Sequence, residues 1–166
     1  MGTIYRKLSW TEIESAIDDI ASKIERYCDD NNLDLPDKII GISRGGLIPA
    51  VLLSDKLNIR DVQTLQAKSY SGIFDKDKGD VIVKHNTPID GKFWIVIDDI
   101  YDSGDTINAV MSSLTNNNTT NLNKEILTAT LCKRVDTKLK PTFHSEEIDH
   151  DVWLIFPWER EEFKGD

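Results

Sequence analysis

The sequence, 166 residues long, predicts an α/β fold with a mostly parallel central sheet flanked by helices. Three observations predict it. Apolar strand-like runs alternate with amphipathic helical patterns along the chain. One run, Phe93-Trp94-Ile95-Val96-Ile97, is apolar at every position, as in a strand covered on both faces. Two strand-like runs end in glycine-containing turns that open straight into helices. That arrangement places a ligand at the carboxyl edge of a parallel sheet.

Taken in order, Ser9 with Glu12 forms a capping box. Trp10, Ile13, Ile17, Ile20 and Ile24 then recur at helical spacing, so a helix runs to about Cys28. Asp29-Asp30-Asn31-Asn32 ends it, and Pro36 precedes a strand from Lys38 to Ser43. Arg44-Gly45-Gly46 leads into a second helix, with Pro49 early in it and Leu47, Ala50, Val51, Leu53 and Leu57 on its apolar side. Val62 to Ser69 is a strand. Ser71 to Asp80, polar and flanked by glycine, reads as a flexible loop, and Val81-Ile82-Val83 as a short strand returning from it. Thr87 to Gly91 is a turn before the central strand. Beyond that strand, Ile107, Val110, Met111 and Leu114 mark a third helix, after the turn Ser103-Gly104-Asp105-Thr106. Asn116 to Asn121 is a polar connection. A strand from Glu125 to Cys132 ends at Lys133-Arg134, an irregular segment begins at Lys140-Pro141, and Asp151 to Phe156 is a last short strand. The tail from Arg160 is charged and frays. No internal repeat or linker divides the chain, so a single domain is expected.

Composition narrows the function. Against 20 basic residues stand 29 acidic ones, a formal net charge of −9, which opposes general nucleic-acid binding. It does not oppose a phosphorylated small substrate, which needs only local donors and a metal. No apolar stretch is long enough to span a bilayer. The start of the chain lacks a signal-peptide pattern, so a cytoplasmic location is expected. Cys28 and Cys132 have no metal or redox spacing, and Cys132 reads as core.

Chemistry concentrates where the central strand ends. Asp98 and Asp99 follow its apolar run, Asp102 comes three residues later, and Ser103-Gly104-Asp105-Thr106 opens a helix. A helix N-terminus offers free N–H groups and the positive end of a dipole to a phosphate. Hydroxyls add donors there, and a glycine lets the backbone approach closely. The acids beside that anion site fit sugar hydroxyls, a Mg²⁺ ion and a base. Arg44-Gly45-Gly46 forms a second anion nest with a fixed charge.

The run Ile95 to Thr106 resembles the signature of type I phosphoribosyltransferases, which bind phosphoribosyl pyrophosphate (PRPP): four apolar residues, two acids, a short spacer and Ser/Thr-Gly-x-Ser/Thr. Ile42-Ser43-Arg44-Gly45-Gly46-Leu47-Ile48-Pro49, Lys133, and Trp153 followed by Pro157-Trp158 extend the likeness toward the bacterial xanthine-guanine branch, over nearly the whole chain. The resemblance implies the type I phosphoribosyltransferase fold, with a lid loop at about 71–80 and a small hood at about 135–160. It implies Mg²⁺-dependent transfer of the 5-phosphoribosyl group from PRPP to N9 of a 6-oxopurine (guanine, xanthine or hypoxanthine), with pyrophosphate released.

Roles follow by position. Asp98 and Asp99 match the acids that hold the ribose hydroxyls, with Asp99 the metal contact. Asp102 matches the acid beside purine N7. Ser103, Gly104, Asp105 and Thr106 match the 5-phosphate loop, and Arg44 and Gly45 the pyrophosphate loop. Lys133 matches the donor to the 6-oxo group, Trp153 the ring that stacks on the base, and Leu154 the carbonyl that reads the 2-position. Two departures stand out. Asp105 replaces the glycine of close relatives and is expected to point outward. The lid lacks their arginine, for which either Lys76 or Lys78 substitutes. A homodimer or homotetramer is the family's habit. Two rival readings are a phosphoribosyltransferase for another base (hypoxanthine only, adenine or uracil) and a PRPP-binding RNA regulator.

Overall fold

A computed structural model describes residues 2–69, 81–84, 91–116 and 125–159. In chain order the elements are β1 (Ile4–Lys7), α1 (Trp10–Asn31), β2 (Lys38–Ser43), α2 (Leu47–Leu57), β3 (Val62–Ser69), β4 (Val81–Lys84), β5 (Phe93–Tyr101), α3 (Asp105–Asn116), β6 (Glu125–Arg134), β7 (Phe143–Ile148) and β8 (Val152–Ile155). The main sheet has the order β4-β3-β2-β5-β6-β7. All its pairings are parallel except that of β4 with β3. β1 and β8 form a separate parallel pair, and of the two only β8 lies in the 135–160 segment expected as a hood. The expected lid at 71–80, with Lys76 and Lys78, lies outside the described residues.

β5 is the centre of the sheet, and its sequence explains why. Phe93, Ile95 and Ile97 pack on the side covered by α1 and α2, while Trp94 and Val96 face the side covered by α3. Period-two alternation sends every residue of the run into one core or the other. Asp37 fixes the start of the strand: its Oδ2 accepts from the Lys92 and Phe93 N–H groups at 2.6 and 3.0 Å.

α1 carries the predicted capping box: Ser9 N–H donates to Glu12 Oε2 at 2.7 Å and Glu12 N–H to Ser9 Oγ at 3.2 Å. Ile13, Ile17, Ile20, Ile24 and Cys28 are its buried stripe. The helix runs three residues past the expected end at Cys28, because the turn to a left-handed backbone comes only at Asn32, with φ of 52°. Trp10, at its start, packs on Trp158, which stacks on Phe156 with ring centroids 4.9 Å apart. These rings tie the end of the β8 segment to α1.

Two strands depart from the expected pattern. β1 was not predicted, and β7 replaces part of the segment expected to be irregular. The central strand also continues to Tyr101, four residues past its apolar run.

Candidate active site

The site forms where β5 hands over to α3. β5 carries Asp98 and Asp99 within its last turns of pleat, and the short loop Asp102–Gly104 then starts α3 at Asp105. Asp105 and Thr106 therefore belong to the first helical turn, where they had been expected in a loop before it. The bond from Ser103 Oγ to Asp105 Oδ2, at 2.8 Å, and that from Asp105 N–H to Ser103 Oγ, at 3.3 Å, close the turn early. Asp105 is exposed, as expected, and its carboxylate is engaged with the Ser103 hydroxyl.

Gly104 has φ of +87° and lies against Tyr101, whose ring would overlap any β-carbon added there. Both conditions demand glycine. Tyr101 is 2% exposed, and its hydroxyl has no hydrogen-bond partner among the described residues.

Of the two acids of β5, Asp98 is buried and Asp99 half-buried. Asp99 N–H donates to Asp98 Oδ1 at 2.9 Å and Ile100 N–H to Asp99 Oδ1 at 2.7 Å. Burial, reinforced by the charge of Asp99, pushes the Asp98 carboxyl well above the usual carboxylate range. Burial also pushes Asp99 up to about 6, against the lowering effect of the bond from Ile100. Among the described residues, neither carboxylate pairs with a lysine or arginine. Two adjacent carboxyls, one buried and one half-buried, with no countercharge among the described residues, offer hard oxygen atoms that fit a Mg²⁺ ion once ionised.

The second glycine loop meets the first acid pair. A β-carbon on Gly45 would overlap the Asp99 carboxylate, and one on Gly46 would overlap the Ile97 carbonyl. The missing side chains let the Arg44-Gly45 loop press directly on the end of β5. Arg44 is exposed, and the Ser43–Arg44 peptide is cis.

A cleft runs along this stretch and is lined by residues between Asp98 and Ile107. Lys133, Trp153 and Leu154 do not line it. Lys133 is fully buried; its ammonium donates to the Arg134 carbonyl at 3.1 Å and pairs with Glu147 at 3.0 Å. Trp153 is 49% exposed on β8, in register with Tyr5 of β1, and the next residue, Leu154, is buried.

The sequence marks Arg134 only as the end of a strand. Its Nε donates to Asp102 Oδ1 at 2.9 Å, and its Nη1 to the carbonyls of Asp149 and Val152 at 2.6 Å each. A second basic residue at the carboxyl end of a central strand was the only sign available. Tyr101, between two acids and beside a glycine loop, carried a similar faint mark.

Two strand–glycine loop–helix units converge on the paired acids, an arrangement suited to an anionic ligand. Residues 9–162 match the phosphoribosyl transferase domain, and the chain belongs to that family. It is 33% identical over 121 residues to the xanthine-guanine phosphoribosyltransferase of Chromohalobacter salexigens, spanning 73% of this chain and 67% of the relative. Among solved structures, the purine phosphoribosyltransferase of Pyrococcus horikoshii superposes with a TM-score of 0.73 at 30% identity, over 94% of this chain and 95% of that one. The xanthine-guanine-hypoxanthine phosphoribosyltransferase of Helicobacter pylori shares the fold, with a TM-score of 0.79 at 21% identity over 95% of each chain.

Proposed function

We propose that this protein transfers the 5-phosphoribosyl group of PRPP to N9 of a 6-oxopurine, giving the nucleoside 5′-monophosphate and pyrophosphate. The observation that carries the reading is the contact of Gly45 with Asp99. It brings an arginine-bearing anion loop against the acids that lead into a second anion loop. PRPP has that pattern, a 5-phosphate and a 1-pyrophosphate on opposite sides of a diol.

On this reading, the α3 N-terminus with Ser103, Gly104, Asp105 and Thr106 takes the 5-phosphate. The Ser103 hydroxyl must then leave Asp105 to donate to the phosphate. Asp98 and Asp99 accept from the ribose hydroxyls, and Asp99 holds Mg²⁺. When bound, the ion neutralises the pyrophosphate and favours its departure. Arg44, with the Gly45 backbone, stabilises negative charge developing on the leaving group. Lys76 or Lys78 adds a donor from the lid.

Asp102 faces purine N7 and accepts or shares its proton while N9 attacks C1′. Trp153 stacks on the ring and the Leu154 carbonyl meets the 2-position. Lys133 donates to the 6-oxygen. An ammonium has three donors, and Glu147 and the Arg134 carbonyl occupy two; the side chain is fully buried and off the cleft, so it must be uncovered before the third can reach the base. A donor at that position disfavours adenine, whose 6-amino group is itself a donor. The relatives named for xanthine and guanine favour these substrates. The cysteines that are buried and unpaired suit the reducing cytoplasm.

The test is a base panel. With PRPP and Mg²⁺, guanine, xanthine or hypoxanthine should yield nucleotide and pyrophosphate. Turnover of none of the three would overturn the reading, and preference for adenine or uracil would reassign the base. Sedimentation analysis tests the expected dimer or tetramer.

A further inference from the structure

The geometry points to Arg134 as the positioning residue of the base site, holding Asp102 and the β8 segment in one fixed relation. This rests on the role of Asp102 given above. The side chain of Arg134 is 9% exposed, whereas that of Asp102 is 70% exposed. The buried partner is the anchored one. Both contacts to main-chain carbonyls fix the plane of the guanidinium, and its Nε–H then meets Asp102 Oδ1 at 2.9 Å. A planar fork with five N–H donors can hold three acceptors at set angles.

Two consequences follow. An exposed aspartate on a short loop has several rotamers open to it, and ordering it opposes side-chain entropy. Arg134 selects one and leaves the second carboxylate oxygen free of that bond. The carbonyls it binds belong to Asp149 and Val152, just upstream of Trp153 and Leu154. One guanidinium therefore spans from the acid assigned to N7 to the strand assigned to the ring face. A lysine would keep the charge, but its compact ammonium cannot reproduce the fork.

The experiment compares wild type, Arg134→Lys, Arg134→Met, Asp102→Asn and the double variant Asp102→Asn/Arg134→Met. It measures kcat and the purine KM with saturating PRPP and Mg²⁺, the PRPP Kd by titration calorimetry, and the melting temperature. Arg134→Met should lower kcat about tenfold or more and raise the purine KM, with the PRPP Kd within about twofold of wild type. Arg134→Lys should fall between the two. On the Asp102→Asn background, Arg134→Met should add little further loss of kcat, because the arginine acts through the acid. Should Arg134→Met fail to fold, Arg134→Lys decides. Wild-type kcat and KM in Arg134→Lys, losses that multiply in full in the double variant, or equal loss of PRPP and purine binding would each overturn the proposal. A wild type that turns over no purine would instead overturn the enzymatic reading, and this proposal with it.

Discussion

Replacing Asp99 with asparagine should make the unliganded protein more stable at pH 8 while abolishing its activity. Burial raises the Asp99 carboxyl from its ordinary value of 3.8 to about 6. The difference is about two pH units, at about 1.4 kcal/mol each, so the ionised carboxylate costs the folded state about 3 kcal/mol. The sign follows from proton affinity. The folded chain holds this proton more tightly than the unfolded chain, so stability falls as pH rises from about 4 through about 6. At pH 8 the cost is complete; at pH 4 most of it is gone. Asparagine is close in shape and can still accept from Ile100 N–H. It also relieves the repulsion that Asp99 exerts on Asp98. For a chain of this size each kcal/mol moves the melting temperature by about 2–4 °C. Asp99→Asn should therefore melt about 6–12 °C above wild type at pH 8, with little difference at pH 4. Thermal melts of both proteins at the two pH values, without metal or substrate, are the assay. An asparagine variant that melts below wild type at pH 8, or gains equally at both, would refute the reasoning. The acids would then not be a destabilised, functional pair.

Other substitutions test other parts of the site. Gly45→Ala should weaken Mg²⁺-dependent PRPP binding, read by calorimetry with and without the metal, while circular dichroism stays native, since the added carbon displaces the Asp99 carboxylate. Gly104→Ala should destabilise by more than about 1 kcal/mol in urea melts, through its positive φ and the Tyr101 ring. Ser9→Ala should cost about 1 kcal/mol by the same measurement through loss of the α1 cap, with kcat unchanged. Glu147→Ala should lower the melting temperature by leaving the buried Lys133 ammonium with the Arg134 carbonyl as its one acceptor among the described residues; an unchanged melt would show that the pair contributes nothing.

Those features of the fold that depend on local pattern were legible in the sequence. The α1 cap and stripe need only residues three and four apart. β2 and β3 were bounded correctly because turn-forming residues flank them. β5 announced itself by an unbroken apolar run. β7 was missed because its interior, His144-Ser145-Glu146-Glu147, is polar. As an edge strand it hydrogen-bonds to β6 alone, so polar residues serve there. β1 has no pattern of its own; it exists as a strand because β8 pairs with it. In the site, the paired acids and both glycine loops were readable as motifs. The engagement of Lys133 with Glu147 and of Asp102 with Arg134 was not, because each joins residues far apart in sequence and leaves no local trace.

The acids of the site are unequal in a way that their spacing alone does not show. Asp98 is buried and Asp99 half-buried, neither has a basic partner among the described residues, and burial raises both carboxyls. Asp102 is exposed and already faces a buried guanidinium. A divalent cation entering the cleft gains most from the pair that lacks a countercharge, and least from the acid already bonded to arginine. On the proposed reading, Arg134 steers the metal away from Asp102 as well as orienting that acid. The division predicts distinct failures: Asp102→Asn should reduce turnover with PRPP affinity nearly intact, whereas Asp99→Asn should lose Mg²⁺-dependent PRPP binding itself. Calorimetric titration of both variants with PRPP, with and without Mg²⁺, separates the two. Equal loss of PRPP affinity in both would mean that the acids share one role.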